Sequence, residues 1–595
     1  MKKIIDLISE CVMNAFEEAG YDAKLGKVSV SNRPDLCEYQ CNGAMAGAKL
    51  YKKPPIKIAE EVAKILSNND IFKTVEAVAP GFLNFNISEK FLADYIEKMM
   101  LEEKYGVEIP SEENKQTIVI DYGGPNVAKP LHVGHMRPAI IGESIKRIAK
   151  YAGHNVYGDV HLGDWGLPMG QIITELTVRK PDLVYFDENY EGEYPMEPPF
   201  TISELEEIYP FASGKCKQDE DYKKKCLLAT AQLQKGRRGY RAIWKHILDV
   251  SVSDLKKNYE KLGVSFELWN GESSVDDLIP PMVEKMKNDG HAYLSEGALV
   301  VDIKEETDKK ELPPCIILKS DGAANYETTD LATIVQRERD FKPNSIIYVV
   351  DKRQELHFTQ VFRCARKTGI ASENTKLEFV GFGTMNGKDG HAFKTRDGGV
   401  LRLEYLLSSI TDKMFADIEK NNADKDKKLP ESETKDIAVK AALAALKYGD
   451  LSNQASKDYV FDIDRFTSFE GDTGPYILYT MARIKSILKK YTATGESLND
   501  LCVNNAFSDS EKKLQMAMVT FNQMIDEAFN DRAPHKVCSY IYALANQFNT
   551  FYHDNNILNE ANEDRKKGYI ALLADCLKLF EASVDLLGFE APERM

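Results

Sequence analysis

The chain has no run of about 18 apolar residues, the length a helix needs to span a bilayer, so no membrane contact is expected. Its N-terminus, Met1-Lys2-Lys3-Ile4-Ile5-Asp6, soon meets charge and lacks the apolar core of a secretion signal. Cysteine is sparse and unpatterned. The ten residues are scattered, as expected of reduced thiols in the cytoplasm and not of a disulfide framework. The close pair Cys37 and Cys41 has no second pair or nearby histidine to complete a zinc set, so no structural metal is expected. Positive charge is in deficit as well. Lys+Arg is 77 against Asp+Glu 93, a net −16 with pI near 5.3. That excludes a basic nucleic-acid coat over the whole surface, although a local basic track on an acidic body stays open.

What is present suits a large folded protein. At 43% hydrophobic and 10% aromatic, the 595 residues can fill several cores, about four at ordinary domain size. Residues 1–108 predict a small α+β domain. Residues 4–19 and 56–66 have helical periodicity, and 81–87 alternate like a strand. The polar stretch 102–116, with Pro110, predicts a linker. From Thr117 the texture changes. Thr117-Ile118-Val119-Ile120-Asp121-Tyr122 predicts a buried strand, broken by Gly123-Gly124-Pro125. A helix over 133–149 and a strand over 155–160 follow, which is the βαβ grammar of a parallel sheet. Strands return at 345–350 and 377–382. Between them, an acidic Pro-rich segment and a long helical stretch, 222–262, predict an insertion over about 180–290. The nucleotide fold then occupies 109–400, a helical stem 401–464, and 465–595 predict helices only. The polar stretch 421–428 predicts a short charged loop.

The strongest chemical signal is Pro125-Asn126-Val127-Ala128-Lys129-Pro130-Leu131-His132-Val133-Gly134-His135. It lies where a strand ends and a helix begins, the edge at which open parallel sheets bind ligands. A helix N-terminus offers free N–H groups to phosphate. Pro130 suits a first helical turn, and Gly134 lets a purine or ribose approach the backbone. Two imidazoles three residues apart can point the same way and donate to phosphate oxygens.

This string resembles the HIGH signature of class I aminoacyl-tRNA synthetases, and with Asn126 and Lys129 it resembles the arginyl-tRNA synthetases. His161-Leu162-Gly163-Asp164-Trp165-Gly166, Tyr326-Glu327-Thr328-Thr329-Asp330 and Tyr348-Val349-Val350-Asp351-Lys352-Arg353-Gln354-Glu355-Leu356-His357 are similar to further segments of that family. Phe469-Glu470-Gly471-Asp472-Thr473-Gly474-Pro475-Tyr476 resembles the start of its helical anticodon domain. Phe548-Asn549-Thr550-Phe551-Tyr552 and the closing Pro592-Glu593-Arg594-Met595 resemble its C-terminal pattern. Tyr39-Gln40-Cys41-Asn42 and 80–85 resemble its extra N-terminal domain. The likeness covers the whole chain.

The resemblance implies an α/β protein with three parts: a Rossmann-type class I catalytic domain carrying an insertion, an α+β N-terminal domain touching the tRNA elbow, and an all-α anticodon-binding domain. It implies ligation of L-arginine to tRNA(Arg) with ATP and Mg2+, by a cytoplasmic monomer that meets neither DNA nor membrane, and activation that needs bound tRNA. His132 and His135 then face the α-phosphate and ribose, and Pro125, Asn126, Val133, Gly134, Gly163 and Met385 complete the ATP site. Asp330, Tyr326 and Gln354 hold the guanidinium, and Asp121 and Asn126 the amino and carboxylate end. The second signature of the class, KMSKS, is missing. In its place stands a Gly-rich loop with Phe393-Lys394-Thr395-Arg396, so Lys394 and Arg396 are catalytic candidates and Lys129 supplies the missing phosphate-binding charge.

The chemistry agrees with this independently. A carboxylate nucleophile needs no general base, only alignment and stabilised phosphate charge. A guanidinium needs carboxylates in a fork geometry. For tRNA, Lys223, Lys224, Lys225, Lys235, Arg237, Arg238, Arg241, Lys485, Lys489 and Lys490 are candidate basic tracks. Of Tyr540, Tyr542, Phe548, Phe551 and Tyr552, most are expected in the core and one or two exposed for stacking. A class I enzyme for another amino acid, a silent RNA-binding relative and a small-molecule nucleotidyltransferase are the rival readings.

Overall fold

The computed structural model describes residues 1–391, 402–423 and 429–595. They form two compact units, one of Met1–Pro110 with Ser468–Leu586 and Glu590–Met595, the other of Ser111–Thr467 with Leu587–Phe589.

The first unit begins with α1 (Ile4–Glu18), β1 (Val28–Val30), β2 (Tyr39–Cys41), α2 (Gly43–Tyr51), α3 (Pro55–Leu66), β3 (Phe72–Val78), β4 (Phe82–Ile87) and α4 (Glu89–Leu101). The strands form an antiparallel sheet in the order β1-β2-β4-β3. Helix α1 buries Ile4, Ile8, Val12, Ala15 and Phe16, one face of a 3.6-residue repeat. Each thiol of the close cysteine pair has its own neighbour: Cys37 lies 3.2 Å from Ser31 Oγ, and Cys41 donates to the Leu25 carbonyl at 3.2 Å.

The second unit is built on a parallel sheet. Its strands are β5 (Thr117–Tyr122), β6 (Asn155–Asp159), β10 (Ser345–Asp351) and β11 (Lys376–Phe382), in the order β11-β10-β5-β6. Helix α5 (Val133–Tyr151) crosses from β5 to β6, whereas the chain returns to the other side of β5 to form β10. The connection therefore reverses between β5 and β10, and the crevice opens at their C-terminal ends. The return path carries α6 (Leu167–Arg179), α7 (Ile202–Gln218), α8 (Glu220–Gln234), α9 (Arg238–Lys261) and α10 (Ile279–Asn288). The single helical stretch expected over 222–262 is two helices, interrupted at Gly236 with φ +85°.

An antiparallel sheet that the sequence reading lacked follows, β7 (Ala292–Ser295), β8 (Ala298–Val301) and β9 (Cys315–Leu318). Its hairpin turns on Glu296 and Gly297, both at positive φ, a geometry that matches strand twist. Helix α11 (Tyr326–Phe341) leads into β10, and α12 (Glu355–Lys367) into β11. β12 (Met385–Asn386), α13 (Leu403–Ala423), α14 (Glu431–Leu451), β13 (Tyr459–Val460) and α15 (Ile463–Phe466) close the unit. The short strand β13, paired in parallel with β12, corrects the expectation that the stem over 401–464 is helical throughout. A buried pair stitches these parts together: Arg137 of α5 meets Asp450 of α14 at 3.0 Å and also donates to the Gly383 carbonyl.

The chain then rejoins the first unit as α16 (Gly474–Thr492), α17 (Asp509–Met518), α18 (Phe521–Asn530), α19 (Pro534–Asp554) and α20 (Glu563–Leu587). Polar ties join this part of the chain to α4 and to the residue before β2. Lys512 pairs with Glu38 at 2.7 Å, Asn522 donates to Tyr95 at 3.0 Å, and the Val503 N–H donates to Glu97 at 2.6 Å. On α19, Tyr540, Phe548 and Phe551 are buried, while Tyr542 is half-buried and Tyr552 is exposed. Among the described residues no helix is long and apolar enough to cross a membrane.

Candidate active site

A cavity of about 660 Å³ opens at the C-terminal ends of β5 and β10, where the chain order reverses. Its walls bring together nine of the residues singled out from sequence: Asp121, Asn126, His132, Gly134, His135, Gly163, Tyr326, Asp330 and Gln354. Glu272, His161, Tyr348, Arg353 and His357 join them. His161 and His357 stand within quoted motifs. Glu272 carries no sequence signal: it opens a short 3-10 turn, Glu272–Leu278, inside the span expected to be the insertion.

On one side lies the histidine turn. His132 is the N-cap of α5, so the helix starts at Val133, three residues after Pro130, and Pro130 lies outside its first turn. The Gly134 N–H donates to His132 Nδ1 at 3.0 Å, and the His132 N–H donates to His135 Nδ1 at 3.2 Å. The two rings lie 3.7 Å apart. With both Nδ1 atoms accepting, each neutral ring must carry its proton on Nε2, which leaves Nε2–H as the free donor. Burial and the Lys129 charge lower His132, and burial, His132 and Lys129 lower His135 to about 3. Both are therefore neutral donors at physiological pH. Gly134 is required for a reason other than ligand approach: a Cβ there would lie 2.8 Å from His132 Cε1. Asn126 and Gly163 tie the two loops together by a parallel bridge, and a Cβ on Gly163 would strike the Asn126 amide at 2.3 Å.

Four residues stay off the cavity wall. Pro125 and Val133 are buried beneath the turn, and Met385 is buried in β12 against β13. Lys129 Nζ sits 4.5 Å from the centre of the Tyr209 ring on α7. Lys394 and Arg396 lie outside the described residues. Just beyond, Arg402 forms a bridge to His132, so the chain after the Gly-rich loop is tied to the histidine turn.

On the other side is a cluster of charge. Asp121 sits opposite Tyr348 in the β5–β10 register. The Nη2 of Arg337 donates to Asp121 at 2.6 Å and to Asp159 at 2.7 Å, all three buried. Burial raises the Asp121 carboxyl, and the Arg337 charge opposes that rise. Asp121, Asp159 and His161 could by distance hold a metal ion, but the guanidinium already lies between the two carboxylates. Asp330 opens from the first turn of α11, one helical turn after Tyr326, as the spacing predicts. Its Oδ2 is 2.5 Å from His357 Nε2, and Glu327 Oε1 is 3.6 Å from His357 Nδ1. Burial lowers His357, the bond to Asp330 and the charge of Glu327 outweigh that, and the ring is raised to about 9. Burial pushes Glu272 up to about 7. The cavity thus offers neutral N–H donors at one end and carboxylates at the other.

Comparison with known proteins agrees with this division. Residues 95–463 match the family described as tRNA synthetases class I (R), catalytic domain. Residues 477–595 match the DALR anticodon binding domain, and 2–87 the arginyl tRNA synthetase N terminal domain. The arginine–tRNA ligase of Agathobacter rectalis is 61% identical over the full length of both chains, and that of Alkaliphilus oremlandii 54%. The fold is similar to that of the arginyl-tRNA synthetases of Plasmodium falciparum, TM-score 0.80 at 24% identity, and Thermus thermophilus, 0.77 at 22%, each covering all of both chains.

Proposed function

The chain belongs to the class I arginyl-tRNA synthetase family and is an arginine–tRNA ligase, and from that premise we propose that the crevice between β5 and β10 holds arginine and ATP end to end. Asp330, with Tyr326 and Gln354, grips the guanidinium. Asp121 and Asn126 orient the amino and carboxylate end, and Glu272 faces the same space. The arginine carboxylate attacks the α-phosphorus of ATP, the bond to the β-phosphate oxygen breaks, and pyrophosphate leaves. The 2′-OH of the terminal adenosine of tRNA(Arg) then attacks the adenylate carbonyl, and AMP leaves.

No general base is needed in the first step, so the protein acts by alignment and charge stabilisation. His132 and His135 donate through Nε2 to the α-phosphate and ribose. Neutral donors suit this work, because they stabilise charge as it develops without neutralising ATP in the ground state. Lys129 leaves the Tyr209 ring for the phosphates, a contact costing about 0.5–1 kcal/mol to break. Lys394 and Arg396 complete the phosphate side. Mg2+ arrives on the triphosphate, since the acidic set that could bind it already holds Arg337.

Activation waits for bound tRNA, the N-terminal domain (1–108) touches the tRNA elbow, and the helices of 465–595 read the anticodon; along the chain the catalytic domain (109–400) and stem (401–464) separate these two. The enzyme acts as a cytoplasmic monomer and needs no editing site, since a wrong substrate leaves buried carboxylates unpaired.

The observation that carries the assignment is the shared cavity of the histidine turn and Asp330. Charging assays with Asp330→Asn test it. The KM for arginine should rise about a hundredfold, as for loss of a charged hydrogen bond, with the KM for ATP nearly unchanged. An unaltered KM for arginine would refute the assignment.

A further inference from the structure

The carboxylate read as the guanidinium ligand is itself held by a cation. His357 stands in the first turn of α12 and reaches across to α11. Asp330 and Glu327 lie three residues apart there, one turn of helix, and so face the same ring. The two carboxylates differ in setting. Asp330 lines the cavity, whereas Glu327 does not, and Glu327 Oε2 is buried without a hydrogen-bond partner. The ring thus joins a half-buried carboxylate off the cavity to a cavity carboxylate.

We infer that His357 is a positioning residue for the amino-acid substrate: clamped between Glu327 and Asp330, its imidazolium fixes Asp330 through Oδ2 and leaves Oδ1 free for the guanidinium. This rests on the reading of Asp330 given above. One argument is geometric. A carboxylate already clamped through one oxygen presents the other in a fixed direction, so less ordering is left for the moment of binding. The other is charge balance. Two carboxylates and one imidazolium leave a single negative charge, which one guanidinium completes. Were the ring neutral, Asp330 would face the substrate with the uncompensated charge of Glu327 one helical turn behind it.

The surrounding groups leave the ring to these partners. Arg353, in the turn before α12, pairs with Asp351 at 2.6 Å. Lys376 and Glu378 of β11 pair with each other at 3.0 Å. The Cys315 thiol of β9 is held neutral, pushed up by Cys364 and by burial. Glu272 faces the same cavity, and Glu355 opens α12. Among the described residues the ion-pair partners of His357 are the two α11 carboxylates. They keep the ring protonated up to about pH 9.

The test is steady-state charging by the full chain. His357→Ala should raise the KM for arginine about thirtyfold, with kcat and the KM for ATP within about threefold. His357→Gln retains an N–H donor toward Asp330 and should recover much of that loss. In the wild type the KM for arginine should climb as pH rises through about 9. The climb should be smaller in His357→Gln, which leaves only the titration of arginine's own amino group. Glu327→Gln should shift it to lower pH. An unchanged KM in His357→Ala, a lower KM (a ring that competes with substrate), or superimposable pH profiles of wild type and His357→Gln would each overturn the inference. Should His357→Ala fail to fold, His357→Gln and Glu327→Gln decide by the same criteria. Asp330→Asn separates the two claims. If it loses arginine affinity while the His357 variants do not, the positioning role falls and the site assignment stands.

Discussion

Two histidines in one cavity are driven in opposite directions by what surrounds them. His135, folded onto a helix N-terminus beside His132 and Lys129, is lowered to about 3. His357, set between Asp330 and Glu327, is raised to about 9. In the proposed arrangement, the end assigned to ATP suppresses charge on its imidazoles for use as donors, and the end assigned to arginine keeps charge to hold a carboxylate in place. Residue type alone therefore does not give a role here; burial and the nearby cation at one end and the carboxylates at the other do.

The largest effect is expected from removing the buried cation of the charged side. Arg337→Met leaves Asp121 and Asp159 buried without their counter-ion, and urea denaturation should show a loss of about 3–5 kcal/mol. At the ATP end, His135→Ala should lower kcat for charging by about a hundredfold to a thousandfold, with a much smaller change in the KM for arginine. Stability against pH sharpens the contrast. His357 is raised above its ordinary value of 6.5, so its contribution is full below pH 6.5 and is lost as pH rises through about 9. His135 is depressed, so the fold loses stability as pH falls from 6.5 toward 3. Each limb should be on the order of 2–3 kcal/mol, flattened on the alkaline side by His357→Gln and on the acid side by His135→Asn, both readable by melting at fixed pH. The smallest effect is expected from Tyr209→Leu. It frees Lys129 from a contact of about 0.5–1 kcal/mol, and the KM for ATP should fall by threefold or less.

Much of the frame was legible in sequence because the two central strands are continuous β-branched runs and the two edge strands are short stretches that mix apolar residues with glycine and charge. Those expected at 117–122, 155–160, 345–350 and 377–382 lie within a residue of β5, β6, β10 and β11. The histidine turn was legible because its residues are contiguous. The finer arrangement was not. Nothing local reveals that the His132 side chain caps α5, or that Gly134 makes room for the His132 ring. The hairpin β7–β8 turns on Glu-Gly, a weaker signal than Asn-Gly, and was overlooked. The stand of Lys129 over Tyr209 joins a loop to a helix of the insertion. The Arg337 pairs join residues about two hundred positions apart, and the His357 clamp spans two helices separated by a strand.

The account turns on which groups meet the guanidinium. A crystal structure of the full chain with L-arginine and a non-hydrolysable ATP analogue measures this directly. A guanidinium nitrogen within about 3 Å of Asp330, with the substrate amino group beside Asp121 and the α-phosphate against the two Nε2 atoms, is the predicted result. An arginine side chain lying away from Asp330, or turned toward the histidine pair, would contradict it.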